Sequence, residues 1–251
     1  MTESVQFPSS TGPKLAGLID HPEGDVRGWG VFVHGFTLGK DNPAASRICK
    51  QLAHEGIGML RFDALGLRGS GGDWGDGSFT VKVDDTVRAC QFMAERGTPA
   101  DILVGHSWGG AAVIAAAERA AGLRAVVSIG APADPSHVEH HFDALADRAV
   151  ADGEAEWLVG GRALTLKRDF VEDVRRADID DKIRALSLPF LVMHSPTDNT
   201  VSIENASTLF WATKHPRSFV ALEGSDHLLT AEGQAARAGK IISAWSDQYV
   251  G

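Results

Sequence analysis

The sequence predicts an α/β protein with a mostly parallel central sheet that helices cover on both faces. Short apolar or β-branched runs alternate with longer segments of helical period, which is the pattern of such a sheet. The 251 residues are 43% hydrophobic and 23% charged, so the chain can bury a large core. We therefore expect a single domain over residues 1–251, with about eight strands.

The chain opens with an antiparallel hairpin at an edge of the predicted sheet. Its strands are the apolar runs at residues 5–7 and 15–19, separated by Ser-Ser-Thr-Gly-Pro. A buried strand at residues 30–34 follows. The next helix covers residues 43–55, because Asn42 can cap it and a proline occupies its first position.

Strands and helices continue to alternate through the middle of the chain. After a strand at residues 57–63, one helix is marked by an apolar stripe of Val83, Val87, Cys90 and Ala94. The elements expected next are a strand, an alanine-rich helix and a strand, at residues 102–105, 108–121 and 123–130.

The alternation breaks at residues 135–187, which we interpret as a small cap insertion within the domain. One helix in it is marked by Val138, Phe142, Leu145 and Ala149. The rest is a hairpin at residues 157–166, with Gly-Gly at its turn, and a second helix at residues 169–177. The expected elements beyond it are strands at residues 189–193 and 218–222, a helix through Trp211, and a last helix with Ala238, Ile241, Trp245 and Tyr249.

Charge and composition exclude several classes of partner. The formal net charge is -9, which opposes nucleic acids and anionic membrane surfaces. The chain has no apolar run of about 20 residues and no secretory leader at its start. Cys49 and Cys90 lie in separate predicted helices, with nothing to suggest a bridge. We expect a cytoplasmic protein that binds neither nucleic acid nor membrane; its oligomeric state stays open.

The strongest motif is Gly105-His106-Ser107-Trp108-Gly109, between a predicted strand and a predicted helix. This is the context of a nucleophile elbow, a strained turn that needs small residues two positions either side of the serine. A serine needs a base, and that base needs a carboxylate to orient it. His227 and Asp198 each follow a later strand, in the chain order serine, acid, histidine. We predict these three as catalytic residues.

The tetrahedral intermediate of acyl transfer needs donors for its oxyanion. In this architecture they are the backbone N–H after the serine and one in an earlier strand–helix loop, which here belong to Trp108 and Phe36. We expect no metal and no organic cofactor. His137, His140 and His141 share a segment but lack a third ligand at a recognisable spacing, so we interpret them as solvated or packing residues. Asp134 is a weaker candidate for the acid, and His106 is interpreted as structural.

These motifs resemble those of the α/β-hydrolases. More narrowly, the chain resembles the hydrolase domain fused to OsmC-like domains in bacterial proteins, through segments spread over its length. They lie at residues 32–47, 61–63, 130–134, 194–198, 204–207 and 214–219. The resemblance implies an α/β-hydrolase fold and a serine hydrolase. Because the sequence ends at Gly251, we expect a stand-alone domain. Arg68 replaces an expected small residue, and we interpret it as a solvated loop arginine.

The expected function is that of a carboxylesterase that cleaves small soluble esters through an acyl-enzyme. The same residues can serve an amidase, thioesterase, peptidase or carbon–carbon hydrolase, and a non-catalytic ligand receptor with this fold is a further alternative. Many charges among the few large apolar residues of 135–187 disfavour a lipase-type lid. We therefore expect short, water-soluble acyl esters as substrates.

Overall fold

An eight-stranded sheet forms the centre of the molecule in a computed structural model that describes residues 1–251. Its strands are β1 Thr2–Pro8, β2 Lys14–Asp20, β3 Gly28–Val33, β4 Ile57–Phe62, β5 Ile102–His106, β6 Ala125–Ile129, β9 Phe190–His194 and β10 Arg217–Ala221. They lie in the order β1-β2-β4-β3-β5-β6-β9-β10. The pairs β1–β2 and β2–β4 are antiparallel and every other pair is parallel. The predicted class and the edge hairpin are confirmed.

Helices cover both faces of this sheet. They are α1 Pro43–His54, α2 Phe79–Glu95, α3 Trp108–Ala116, α4 Asp143–Asp152, α5 Arg168–Arg176, α6 Asp180–Ala185, α7 Glu204–Ala212 and α8 Gln234–Ser246. Alternate residues of β5 point to opposite faces, so Leu103 joins a core with α2 and α3. Ile102 and Val104 join a second core with α1 and α8. The sheet is therefore buried on both sides, which explains its nearly continuous apolar strands.

The segment 135–187 lies between β6 and β9 and contains its own two-stranded sheet. A 3₁₀ helix at Pro135–His141 precedes α4, and the strands β7 Glu154–Val159 and β8 Arg162–Lys167 form an antiparallel hairpin. Gly160 and Gly161 form its turn with positive φ angles, as expected. The prediction of one helix from Val138 to Ala149 is wrong, because the backbone leaves helical geometry at Phe142. The helix α6 was not predicted.

Three smaller expectations also need correction. The alanine-rich helix α3 ends at Ala116 and continues only as a 3₁₀ turn, so it is shorter than predicted. On α2 the buried position near the end belongs to Met93, whereas Ala94 is exposed. Tyr249 lies beyond the end of α8. None of the helices combines the length and the apolar character that crossing a bilayer requires.

Candidate active site

Ser107 lies in the sharp turn between β5 and α3. Its φ is 55° and its ψ is -127°, a conformation that few non-glycine residues adopt. Two glycines permit the close packing of this turn. A Cβ on Gly105 would lie 2.3 Å from the carbonyl oxygen of Gly109, and a Cβ on Gly109 would lie 2.1 Å from that of Val33. The serine of the Gly-x-Ser-x-Gly pattern is therefore the residue that occupies the strained turn.

The structure brings the three residues predicted as catalytic into one hydrogen-bonded chain. His227 Nε2 lies 3.0 Å from Ser107 Oγ, and His227 Nδ1 lies 2.7 Å from Asp198 Oδ2. Asp198 follows β9 and His227 follows β10, so both lie at the carboxyl edge of the sheet, where β5 also ends. The Nδ1 atom donates to the carboxylate, which leaves Nε2 as the acceptor for the serine hydroxyl.

Backbone amides complete the surroundings of the Asp198 carboxylate. Its Oδ1 accepts hydrogen bonds from the amides of Thr200 and Val201, at 2.8 and 2.9 Å. Burial alone would raise the pKa of Asp198, but the hydrogen bonds from His227 and the two amides outweigh it and the pKa is lowered. The carboxylate is therefore ionised at neutral pH and oriented toward the imidazole.

Two further histidines support the loops that carry the acid and the imidazole. His106 is buried, and its Nε2 donates to the carbonyl oxygen of His227 at 2.8 Å. Burial lowers the pKa of His106 to about 4, so it stays uncharged at neutral pH. His194 Nε2 donates to the carbonyl oxygen of Val201 at 2.8 Å. Neither contact could be predicted from the sequence, because the partners come from later loops.

The loop after β3 runs alongside the serine. A Cβ on Gly35 would lie 3.0 Å from the Cβ of Ser107. The amide of Phe36 donates to no group of the protein, and the amide of Trp108 is free because it begins α3. His34 holds this loop: its Nδ1 donates to the carbonyl oxygen of Gly35 at 2.7 Å, and its Nε2 accepts from the amide of Ala64 at 3.1 Å.

The far end of the same loop is fixed by a buried carboxylate, Asp63. Its Oδ1 accepts from the Lys40 amide and its Oδ2 from Lys40 Nζ, both at 2.7 Å. Arg68 is exposed, as expected, and its aliphatic part packs over Gly39. Arg68 does not line the pocket above Ser107.

A cavity of about 480 Å³ opens above Ser107. Three rings meet in its wall: Phe36 packs against His141 and Trp157, with centroids 5.7 and 5.8 Å away. Its other lining residues are Thr37, Leu38, Leu158, Val159, Gly160, Thr200, His227 and Leu228. Strand β7 and the turn after it therefore form one part of the cavity wall, in contact with the loop after β3 through Trp157 and Phe36.

Asp134, the weaker candidate for the catalytic acid, and His137 lie outside the chain of hydrogen bonds that joins Ser107, His227 and Asp198. Asp134 Oδ1 accepts from the amide of Ser136 at 2.8 Å and so caps the 3₁₀ helix that follows. His137 Nε2 lies 3.3 Å from the carbonyl oxygen of Thr200. Interpreted from the sequence as a solvated or packing residue, His141 is exposed and its ring stacks on Phe36. The ring also lines the cavity, and partial burial lowers the pKa of His141 to about 4. No sequence pattern distinguishes His141 from its neighbours.

A family model and several solved structures are similar to this chain over most of its length. A model described as the alpha/beta hydrolase family matches residues 31–241. Among solved structures, an esterase domain from Rhodothermus marinus is 38% identical, with a TM-score of 0.80 over 100% of both chains. A search of curated proteins finds no significant match.

Two more distant structures show the same fold. The alpha/beta hydrolase GrgF from Penicillium sp. sh18 is 17% identical, with a TM-score of 0.81 over 100% of this chain and 99% of that one. Est1E from Butyrivibrio proteoclasticus, with ferulic acid bound, is 18% identical, with a TM-score of 0.78 over 98% of each chain.

Proposed function

Because this chain belongs to the alpha/beta hydrolase family, we propose that it is a serine carboxylesterase with Ser107 as its nucleophile. The observation that carries this proposal is the chain of hydrogen bonds from Ser107 through His227 to Asp198. The esterase domain that is 38% identical to this chain supports ester hydrolysis in particular.

In the first half of the reaction, His227 Nε2 takes the proton of Ser107 Oγ while the oxygen attacks the ester carbonyl carbon. Asp198 stabilises the imidazolium that forms. The free amides of Phe36 and Trp108 donate to the oxyanion. The intermediate then collapses: the bond between the carbonyl carbon and the alcohol oxygen breaks, and His227 gives its proton to the leaving alcohol. Ser107 is now acylated.

In the second half of the reaction, water takes the place of the alcohol and releases the acyl group from Ser107. His227 removes a proton from a water molecule, whose oxygen attacks the acyl-enzyme. The bond to Ser107 Oγ breaks, and the serine recovers its proton from His227. The net reaction converts one ester and one water molecule into a carboxylic acid and an alcohol.

The surface of the insertion at residues 135–187 supports the proposal that the substrates are small. Its large apolar side chains Phe142, Trp157, Leu166 and Phe170 are buried, and Leu158 is the exception, with 71% of its surface exposed. A lid that opens onto oil needs a broad exposed apolar face, and one leucine does not provide it. We propose esters with a short acyl group that fits the cavity of about 480 Å³.

Labelling with a fluorophosphonate probe tests the nucleophile. We expect the wild-type protein to be labelled at Ser107, and Ser107→Ala to be unlabelled and to lose on the order of a million-fold in kcat on 4-nitrophenyl butanoate. The same sample, assayed with matched butanoyl esters, thioesters and amides, tests the ester preference. A Ser107→Ala protein with near wild-type turnover would refute the proposal, and a faster amide or thioester than ester would refute the esterase assignment.

A further inference from the structure

Two depressions of different chemistry meet at His227. The cavity above Ser107 is joined by a groove of about 660 Å³, and both are lined by Thr200, His227 and Leu228. Ser107 does not line the groove, which continues from His227 along the loops at residues 197–200 and 224–234. A substrate bound at Ser107 can therefore extend in two directions, and each direction offers it different partners.

The groove is more polar than the cavity, half of whose lining residues are apolar. Leu228 is its only apolar residue. Its other side chains provide hydroxyl, amide and carboxylate groups, from Thr197, Asn199, Thr200, Ser225, Asp226, Thr230 and Gln234. The side chains of Asn199 and Thr200 are exposed and make no hydrogen bond within the protein. These two groups are free to bind a ligand without breaking a contact.

The charges of the groove restrict that ligand further. No lysine or arginine lines it, and Asp226 supplies a carboxylate. A group that carries phosphates or carboxylates would meet this negative charge without a cation to balance it. A neutral group with many hydroxyls can donate to the carboxylate and exchange hydrogen bonds with the free amide and hydroxyl.

The reaction chemistry decides which half of the substrate enters the groove. His227 must deliver its proton to the oxygen of the leaving alcohol, so that alcohol lies on the His227 side of the scissile bond. The carbonyl oxygen must face the amides of Phe36 and Trp108, beside the aromatic wall. The acyl group thus belongs in the apolar cavity and the alcohol in the polar groove.

We propose that the substrate is an ester of an apolar acyl group with a neutral polyhydroxy alcohol, such as a sugar, and that Asn199 and Thr200 bind the alcohol. This inference rests on the proposed esterase function. The products are a carboxylic acid and the free sugar, whose oxygen carries the proton that His227 took from Ser107.

Two esters with the same acyl group and the same ring size isolate the role of the hydroxyls. Methyl 6-O-butanoyl-α-D-glucopyranoside and cyclohexylmethyl butanoate are both esters of a primary alcohol on a six-membered ring. We expect kcat/KM to be at least about tenfold higher for the sugar ester, because the groove forms hydrogen bonds with it alone. Equal values, or a preference for the cyclohexyl ester, would overturn the inference.

Variants of groove residues test whether Asn199 and Thr200 cause the preference for the sugar ester. Asn199→Ala and Thr200→Val should each lower the ratio of the two kcat/KM values several-fold. Thr208→Val, the same change on the exposed face of α7, should leave that ratio unchanged. A ratio that survives both groove variants would show that other residues bind the alcohol and would overturn the assignment. Hydrolysis of 4-nitrophenyl butanoate without a sugar preference rejects this inference alone, whereas failure to cleave any ester rejects the proposed function as well.

Discussion

At the scale of single residues, Asp198 and Asp134 show how two acids that follow neighbouring strands acquire different roles. Asp198 faces the imidazole of His227, whereas Asp134 caps a 3₁₀ helix. We expect Asp198→Asn to lower kcat by roughly ten-thousand-fold, because an amide no longer enforces the tautomer that accepts the serine proton. Steady-state kinetics on 4-nitrophenyl butanoate measure this loss.

Asp134→Asn is the matched control, since it makes the same chemical change on the adjacent strand end. It keeps a side-chain oxygen for the helix cap and should retain most of the wild-type turnover. If Asp134→Asn proves crippling and Asp198→Asn mild, the wrong carboxylate has been chosen.

Burial of Lys82 should make the stability of the protein depend on pH. Its side chain is only 6% exposed, and its Nζ lies 5.6 Å from the centre of the Trp108 ring. Burial lowers its pKa to about 7, and nearby Asp85 offsets part of that shift. An unfolded chain holds the proton up to a pKa of about 10.4. Between these two values the unfolded state binds more protons, so the free energy of unfolding should rise with pH in this window.

Lys82→Met should remove this dependence while filling the same space. We expect its free energy of unfolding at pH 7 to exceed the wild-type value by about 2 kcal/mol or more, and the advantage to shrink toward pH 10. Urea unfolding at several pH values measures both effects. Lys50→Met, on the exposed face of α1, should show neither. A wild-type stability that is flat over this range would contradict the buried-lysine explanation.

The sequence predicted the site residues that follow predicted strands in the expected order of serine, acid and histidine. Ser107, Asp198 and His227 each follow a strand, and the carboxyl ends of neighbouring parallel strands meet at one edge. His141 and Lys82 carry no such signal. Their surroundings are assembled from segments far away in the chain, and no local pattern records that they are buried or line a cavity.

At the level of helices and strands, β7 forms part of the wall of the cavity that holds the acyl group on the proposed mechanism. Trp157 and Leu158 from β7 stand over the same cavity as Ser107. We expect rates on 4-nitrophenyl esters to peak at short acyl chains and to decline as the chain outgrows this space. A series from acetyl to palmitoyl, assayed below and above the solubility limit, measures the profile.

Trp157→Ala should shift that peak toward longer chains, because it removes a large ring from the wall. Trp211→Ala is a matched control, since Trp211 is exposed on α7 and away from the cavity. A maximum at long chains in the wild-type protein, or activation at an oil–water interface, would contradict the role assigned to the insertion.

The elements also show where periodicity misleads. Of the stripe that predicted one continuous helix, Val138, Phe142 and Ala149 are buried and Leu145 is half-buried, so the apolar face is real. The stripe nevertheless spans a break, because Pro135 starts a 3₁₀ helix that ends at His141 before α4 begins. An apolar spacing of three or four residues persists across a change of helix type when both pieces pack on the same core.

Across the entire fold, the alternation of strand and helix predicted the class. The strand order could not be predicted in the same way. In the sheet, β3 lies between β4 and β5, and β9 lies between β6 and β10. This order depends on which faces and edges of the strands are covered once the chain is compact. The sequence records that a strand is buried but not which strand lies beside it.

The separation of Ser107 from His227, which lie 120 residues apart in the chain, has a consequence for the order of events during synthesis. A nascent chain that has emerged from the ribosome as far as residue 187 already holds the nucleophile, yet it lacks both the acid and the base. On the proposed mechanism such a chain is inert. Reactivity appears only when β10 has docked beside β9, a late and long-range step. On this mechanism the fold delays reactivity until the last strand is in place, so an incomplete chain cannot hydrolyse esters.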